Sequence, residues 1–495
     1  MQKPISKKLN IYSKISEITL IFSSVALIVI IYHLGIIPTQ YFNMLVGTLV
    51  FLSLFFSLFA FLKGVNKLNR IIQSILCTVL SMALIITSIG IKTYEDKIKN
   101  VFTNTETVTL YIYALKDSAI ETVDDLGNTA MGLSPFTNEN VQEEAFQDLV
   151  GYLDKYELGK ISTTTYSGIL QIVDALYNHE VDSIMLQSNL LDVIEEVSNY
   201  IDFETKVKVI YESTHKVTIK RTDDSFVMKD ITKDPFIIAV GGRDLNGHFD
   251  VNMVVAANPV TKQVLIVTIP RDAYSPLDGD PEKMDKLSYT GKLSSEVWLK
   301  TLQLFFDYRF NFYSIVDFYS ISDVIDAIGG IDLYNPYYFS APSLIQGTKK
   351  FYFSEGNLHL GGMATLAYCR ERQNLPKGDL SRNEHQGIVL KALIKKLTSK
   401  EIINKADNVL SVLQGKVTTD FTLETISKLI NMQLIDNADW NIVTYNLSAE
   451  LFYTYSYMIG HEYGPNYAMM DLDDDSLAKA NSMIKQVLDG EVPYK

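Results

Sequence analysis

The chain has 495 residues, of which 47% are apolar and 21% charged. That balance excludes both a disordered polar chain and a protein made only of membrane helices. The length calls for two or three folded units, and the 2 cysteines exclude a disulfide scaffold and a four-cysteine zinc site.

Apolar residues crowd into three uncharged runs, 18–37, 42–62 and 71–91. Each is about 20 residues long, enough to cross ~30 Å of hydrocarbon as a helix, so three transmembrane helices are predicted. Lys3, Lys7, Lys8 and Lys14 precede the first run, and Lys63, Lys67 and Arg70 separate the second from the third. The loop 38–41 has no basic residue. Basic flanks stay cytoplasmic, which places the N-terminus inside a multi-pass cell-membrane protein and everything after about residue 92 outside. Residues 1–100 hold 10 basic and 3 acidic side chains, a net of +7 that leaves −21 of the total −14 for the rest. So acidic an external part argues against nucleic acid as a partner and lacks the basic stripe of a DNA-binding attenuator.

Residues 93–106 read as a polar stalk. Strand patterns at 109–113 and 181–186, with helical patterns around 146–153, 169–176 and 190–197, predict a small accessory α/β domain over 107–205. Its expected role is packing or spacing. Residues 206–220 read as a connecting strand, and Asp223, Asp224 and Ser225 as a break.

The second domain opens near Asp234. The apolar run 236–240 reads as a buried strand. Gly241 and Gly242 end it in a turn that leaves Arg243 and Asp244 at its exit. Strands over 251–257 and 264–269 are joined by a short turn and therefore run antiparallel. The exit of the latter, with Arg271 and Asp272, thus returns to the start of the former, with Asp250. Arg243, Asp244, Asp250 and Arg271 are expected to meet at one rim.

Residues 368–372 (YCRER), read as extended, set Tyr368, Arg370 and Arg372 on one face and Cys369 and Glu371 on the other. Neighbouring arginines repel unless an anion lies between them, and a solvated surface pair is the competing reading. Ser381 and Glu384 have capping-box spacing, so a helix is predicted to start near Arg382. Arg382 and Gln386 then share a face in the first turn, where backbone N–H groups favour an anion. Amphipathic stretches at 298–306, 319–328 and 388–397 read either as walls of an apolar tunnel or as ordinary core helices. Helices at 402–413, 423–434 and 475–488 and a tyrosine-rich loop at 453–467 complete the chain. Cys77 falls inside the third run, Cys369 reads as a packed thiol, and no Ser/His/Asp or Cys/His nucleophile group stands out.

Taken in order, the segments 242–244 (GRD), Asp250, 268–272 (TIPRD), 285–287 (DKL), 324–332 (VIDAIGGID), 370–372 (RER) and the Gly378, Asp379, Arg382, Gln386 pattern form a series. This series resembles that of the LytR-CpsA-Psr (LCP) family over about 234–400, and the three spans with the accessory domain resemble its CpsA type from streptococcal capsule loci. The resemblance implies an LCP catalytic domain over 234–490, an α/β fold with a central mixed sheet flanked by helices. It further implies a phosphotransferase that moves a glycopolymer, here a capsular polysaccharide, from a polyprenyl-pyrophosphate carrier onto peptidoglycan, with Mg²⁺ or Mn²⁺ as cofactor. Membrane lipid and capsule-synthesis membrane proteins are further implied partners.

By position, Arg271, Asp244, Asp250 and Arg370 resemble catalytic residues. Arg271, Arg370, Arg372, Arg382, Gln386 and Lys286 resemble pyrophosphate ligands. Asp244 and Asp250 resemble the metal-holding carboxylates, with Asp379, Asp272 and His248 in support. His248 stands where many members carry arginine, and either a phosphate donor or a loop residue fits there; His385 likewise replaces an arginine or asparagine. Two other readings use the same residues or spans: a regulatory or interaction protein of capsule assembly, and a polyprenyl-pyrophosphate hydrolase with water as acceptor.

Overall fold

The computed structural model describes residues 7–34, 37, 39–61, 66–220, 230–244, 246–317, 319–343, 350–399, 401, 412–413 and 415–493. The expected break at 223–225, nearly all of the helix expected at 402–413, and Lys3 and Lys63 lie outside these residues. The chain divides into two compact units, Met1–Phe102 with Phe421–Asp439, and Thr103–Asp420 with Trp440–Lys495.

The first unit contains α1 (Lys7–Leu34), α2 (Thr39–Phe61) and α3 (Lys67–Val101). All three are long and apolar enough to cross a membrane, over Lys8–His33, Gln40–Leu58 and Lys67–Thr93. The first of these stretches begins well before residue 18 and so takes in Glu17. The Glu17 side chain is buried and accepts a hydrogen bond from Ser57 Oγ at 2.8 Å, because a carboxyl facing hydrocarbon without a partner is costly. Residues 93–101, expected as a stalk, continue α3 as helix. The helix Leu423–Asp436 also belongs to this unit, its N-terminus capped by Thr422 Oγ1, which accepts from the Thr425 N–H at 3.1 Å.

The second unit is mixed α/β and holds two principal sheets. The smaller is built from β1 (Thr105–Leu115), β2 (Ala130–Leu133), α4 (Glu139–Lys155), β3 (Ser162–Thr165), α5 (Ile169–Tyr177), β4 (Ser183–Gln187), α6 (Leu191–Glu195) and β5 (Val207–Thr218). Its strand order is β3-β2-β4-β1-β5. β5 runs antiparallel to β1 from Thr105↔Thr218 to Leu115↔Val207. The stretch 206–220, expected as a connector, is therefore an edge strand of the accessory sheet.

The larger sheet contains β6 (Phe236–Arg243), β7 (Phe249–Asn258), β8 (Gln263–Ile269), β9 (Phe312–Asp317), β10 (Val417–Thr419) and β11 (Asn441–Asn446), in spatial order β10-β9-β6-β7-β8-β11. β6, β7 and β8 form an antiparallel meander, while β9 and β11 add parallel to β6 and β8. Around it lie α7 (Ser295–Leu304), α8 (Ser320–Ile328), α9 (Gly362–Arg370), α10 (Asp379–Leu397) and α11 (Asp474–Leu488). Strands buried on both faces read as near-continuous apolar runs, as β7 and β8 do. α7 starts at Ser294, whose Oγ accepts from the Val297 N–H at 3.1 Å. α8 ends at Gly329, held at φ 83° in the left-handed region where only glycine is unstrained.

Gly241 and Gly242 lie inside β6 and do not make the expected turn. A Cβ on Gly241 would come within 2.6 Å of the Phe249 ring and 2.9 Å of Trp298. Those two rings stack at 4.3 Å between centroids, and Trp298 Nε1 donates to Asn252 Oδ1 at 2.8 Å. Glycine is needed there for close approach. Gly241→Ala is expected to cost about 1–3 kcal/mol, read as a lowered midpoint in thermal unfolding with the same final spectrum.

Trp298 and Leu302 of α7, and Ile484 and Val487 of α11, share a core with Val254, Leu265 and Val267. Ile325 and Ile328 of α8 pack in a different cluster with Val389 and Leu393 of α10. The three stretches expected to wall one tunnel thus divide: 298–306 fills the sheet core, and only the other two meet. α10 lies close on the sheet because position 387 is glycine; a Cβ there would sit 3.0 Å from Thr268 Cγ2.

The accessory sheet does not close its own core. Ile169, Ile184, Val193 and Phe203 pack in one cluster with Leu277, Tyr289, Met458 and Ile459. The segment 453–467, expected as a loop, carries the last two of these between the antiparallel strands Ala449–Thr454 and Tyr467–Leu472. Asp285 pins it: Oδ2 accepts from Ser456 Oγ at 2.7 Å and from the Met458 N–H at 2.9 Å. Burial pushes the Asp285 carboxyl up from 3.8 to about 6. The folded state therefore holds this proton more tightly than the unfolded chain, and the stabilisation is full below about pH 4 and lost as pH rises to about 6. Relative to Asp285→Asn, the wild type is expected to lose up to about 3 kcal/mol across that window, measured as the difference between the two pH–stability curves.

Candidate active site

The site grows from the end of the β6–β8 meander. β7 begins beside Asp250, and β8 ends just before Pro270 and Arg271, so antiparallel register brings Asp250 and Arg271 together. Arg271 Nη1 donates to Asp250 Oδ1 at 2.6 Å, and Arg271 Nε lies 3.6 Å from Asp272 Oδ1. α9 and α10 deliver the other cations. Asp244, Asp250, Arg271, Cys369, Arg370, Arg372, Arg382 and Gln386 line one cavity of about 220 Å³.

Local chemistry holds each group. Arg370 donates from Nη1 to Tyr319 Oη at 2.5 Å and lies over that ring. Glu371 accepts from the Arg372 and Asn374 N–H groups, both at 2.9 Å, folding the turn that aims Arg372. Arg382 Nη2 lies 2.7 Å from Asp379 Oδ1, and Arg372 Nη1 lies 3.9 Å from Asp379 Oδ2. Gln386 Nε2 makes long contacts to the carbonyls of Cys369 (3.4 Å) and Asp250 (3.5 Å).

The electrostatics are strained in a telling way. Burial, then the charge of Arg271, pull Arg382 below its ordinary pKa. Burial also opposes the charge of Arg271, but Asp272 and Asp250 outweigh it and raise the group. Burial works against Asp244 as a carboxylate, yet His248 and Lys292 hold it below the usual range. Arg271 Nε, Arg382 Nε and Arg382 Nη2 are buried and find no hydrogen-bond partner among the described residues; the 2.7 Å ion pair of Arg382 with Asp379 has no hydrogen-bond geometry. Buried guanidinium donors without acceptors are costly, as is the gathering of four arginines around one cavity without an anion between them.

The structure gathers seven of the expected residues, Asp244, Asp250, Arg271, Arg370, Arg372, Arg382 and Gln386, with Cys369 beside them. Asp272 and Asp379 pair with the arginines from behind. Three residues fall elsewhere. Lys286 lies over Tyr289 and 3.8 Å from Glu196, outside the cavity lining. His248 is buried, with Nδ1 3.3 Å from Asp192 and 3.4 Å from Asp244, and so it is a loop clamp. Arg243 turns away from the expected rim, donating to Glu106 at 3.0 Å and Ser295 at 2.6 Å.

Local conformation also differs from expectation. Residues 368–370 end a helix, so alternation does not apply: Tyr368 is buried in the core and Cys369 faces the cavity lining. Burial pushes the Cys369 thiol up to about 12, which leaves it un-ionised and unfit as a nucleophile. α10 begins at Asp379, after Gly378 at φ 55°, and Ser381 Oγ accepts from the Lys377 N–H at 3.1 Å instead of capping. His385 stacks on Tyr368 at 4.2 Å, and burial lowers its pKa to about 4, so it stays neutral in the core. Sequence reasoning missed Lys292 and Asp192, whose pairing joins distant stretches and leaves no local signal.

The LytR_cpsA_psr family matches residues 197–480, more than half of the 495-residue chain. Among curated relatives, the polyisoprenyl-teichoic acid–peptidoglycan teichoic acid transferase TagV of Bacillus subtilis (strain 168) is 32% identical over 202 residues, covering 39% of this chain and 52% of TagV. The similarly named TagU of Bacillus mycoides (strain KBAB4) is 30% identical over 226 residues, covering 44% of this chain and 71% of TagU. The chain thus spans about half the length of the first relative. The crystal structure of B. subtilis TagV superposes with a TM-score of 0.44 at 28% identity, over 52% of this chain and 98% of that one. Family match and curated relatives agree with the order of motifs around the arginine-lined cavity: this chain belongs to the LytR_cpsA_psr family.

Proposed function

We propose that the protein is a membrane-anchored phosphotransferase that attaches a polyprenyl-pyrophosphate-linked glycopolymer, a capsular polysaccharide, to peptidoglycan outside the cell. The observation that carries this reading is the gathering of Arg271, Arg370, Arg372 and Arg382 around one cavity, with buried donors of Arg271 and Arg382 left without a hydrogen-bond partner among the described residues. The names of TagV and TagU, transferases between a polyisoprenyl-linked polymer and peptidoglycan, support the donor and acceptor classes. The three apolar helices support a multi-pass anchor, and the basic residues that flank them support a cytoplasmic N-terminus. Such an anchor tethers the chain to the membrane that carries a lipid-borne donor.

Catalysis of such a transfer is mainly positioning and charge neutralisation. Arg271, Arg370, Arg372 and Arg382 match phosphate oxygens in bidentate fashion and stay charged, while Gln386 orients the diphosphate. The acceptor hydroxyl oxygen bonds to the glycan-side phosphorus. The bond from that phosphorus to the bridging oxygen breaks, and prenyl monophosphate leaves with the electron pair. In this reading the acceptor's proton passes to a carboxylate, Asp244 or Asp250, both of which line the cavity.

Among the described residues no group of three or more His, Cys, Asp and Glu is arranged to hold a metal ion by itself. Two carboxylates in a phosphate-sized cavity are instead the donor set for Mg²⁺ or Mn²⁺ held jointly with substrate oxygens. Bound there, the ion would neutralise charge on the diphosphate.

The test is product analysis with the lipid-linked polymer, with and without peptidoglycan. Polymer on peptidoglycan together with prenyl monophosphate, both dependent on the acceptor, is the expected result. Release of free polymer at the same rate without peptidoglycan would establish the hydrolase instead.

A further inference from the structure

The loop that carries Asp244 is held from outside the larger sheet. Asp244 Oδ1 accepts from the His248 N–H at 2.8 Å and from the Asn246 N–H at 3.0 Å, and Oδ2 lies 3.4 Å from His248 Nδ1. His248 Nδ1 is also 3.3 Å from Asp192 Oδ2, on α6 of the accessory sheet. The other oxygen of Asp192 takes Lys292 Nζ at 2.5 Å. The Lys292 side chain is completely buried, and its ammonium also donates to the Asn246 carbonyl in the same loop. The backbone carbonyl of Lys292 accepts from Gln187 Nε2 at 3.2 Å and Asn189 Nδ2 at 3.3 Å, both from the accessory part. Next to Lys292, a Cβ on Gly291 would come within 2.1 Å of the Gly247 carbonyl oxygen, so the two backbones approach closely there. Asn246 and His248 of the Asp244 loop are thus tied to the Lys292–Asp192 pair.

We propose that Asp192, acting with Lys292, is a positioning residue that fixes the Asp244 carboxylate at the rim of the arginine cavity, so that the accessory part completes the catalytic site. This rests on the reading of Asp244 and Asp250 as the carboxylates that hold the divalent ion. Asp192 neutralises the buried ammonium and holds the imidazole that faces Asp244. Without it, Lys292 is left as an uncompensated buried charge, free to draw Asp244 toward itself and away from the cavity. Groups that orient metal-holding carboxylates ordinarily contribute about 10–100-fold in ion affinity.

The experiment uses the full chain in lipid nanodiscs, with Mn²⁺ as probe, its binding followed by electron paramagnetic resonance in the presence of pyrophosphate. Asp192→Asn keeps the shape and removes the charge; Asp192→Ala removes both; Asp192→Glu restores the carboxylate; Asp250→Ala is the control for the site itself. Expected are a fall of about tenfold or more in Mn²⁺ affinity for Asp192→Asn and Asp192→Ala and recovery in Asp192→Glu. In transfer assays Asp192→Asn should need more Mg²⁺ for half-maximal rate and recover at saturating ion. A merely structural role would lower the folded fraction and leave the ion dependence unchanged. Wild-type affinity in a folded Asp192→Asn protein, with binding lost in Asp250→Ala, would overturn the role of Asp192 alone. Unchanged binding in Asp250→Ala would overturn the reading of the site as well.

Discussion

Arg271→Ala is expected to leave a folded protein that attaches no polymer to peptidoglycan. Arg271 touches both sides of the problem. It donates to Asp250 at 2.6 Å and lines the cavity, while its buried Nε, 3.6 Å from Asp272, has no hydrogen-bond partner among the described residues. Removing it takes away a charge aimed at the phosphates and frees Asp250, a carboxylate expected to face the same substrate. Loss of one preorganised donor at such a site costs about 10²–10³ in rate, and the simultaneous release of Asp250 pushes the effect to the upper end. Stability should change much less, by about 1–3 kcal/mol, because Asp250 sits at a cavity and not in a sealed core, so water replaces the lost partner. Cell-wall-linked polymer, measured against a circular-dichroism melting curve of the same preparation, separates the two effects. Normal attachment by a folded Arg271→Ala protein would remove Arg271 from the catalytic set.

Excision of the accessory part is expected to destroy the catalytic fold outright. Cutting out residues 103–218 would strip the cover from Leu277, Tyr289, Met458 and Ile459, all nearly inaccessible in the intact unit. Exposing each such side chain costs about 1.5–3 kcal/mol, which together approaches the whole stability of about 5–15 kcal/mol of an ordinary domain. Arg243 would also lose Glu106, its salt-bridge partner at 3.0 Å. The truncated chain should therefore aggregate or fall to limited proteolysis under conditions where the full chain resists. A soluble, protease-resistant truncation with transfer activity would show that the shared cluster contributes little.

The sequence displayed the site better than it displayed the fold around it. Antiparallel pairing foretold that Asp250 meets Arg271, and i,i+4 spacing set Arg382 and Gln386 on one helix face. That these join Arg370 and Arg372 in one place was implied by the family resemblance of the motif order. Where side-chain direction depended on distant partners, it was illegible. Arg243 directly precedes Asp244 in sequence but turns to Glu106, more than a hundred residues upstream. For His248 a phosphate ligand and a loop residue read equally well, and Asp192, 3.3 Å away, decides for the loop residue, outside the cavity lining. Residues 368–370 alternate well enough for a strand, but packing of Tyr368 against His385 and Phe353 makes them the end of a helix. The accessory boundary moved for the same reason: residues 207–218 become sheet only because β1 offers them an edge, and 458–459 become core only because α5 lies above them.

Binding of a short-chain prenyl pyrophosphate, followed by isothermal titration calorimetry, tests the arginine cavity most directly. The wild type should bind it in competition with inorganic pyrophosphate, and Arg271→Ala and Arg382→Ala should each lose most of that affinity while remaining folded. Equal affinity in the wild type and both variants would contradict the account.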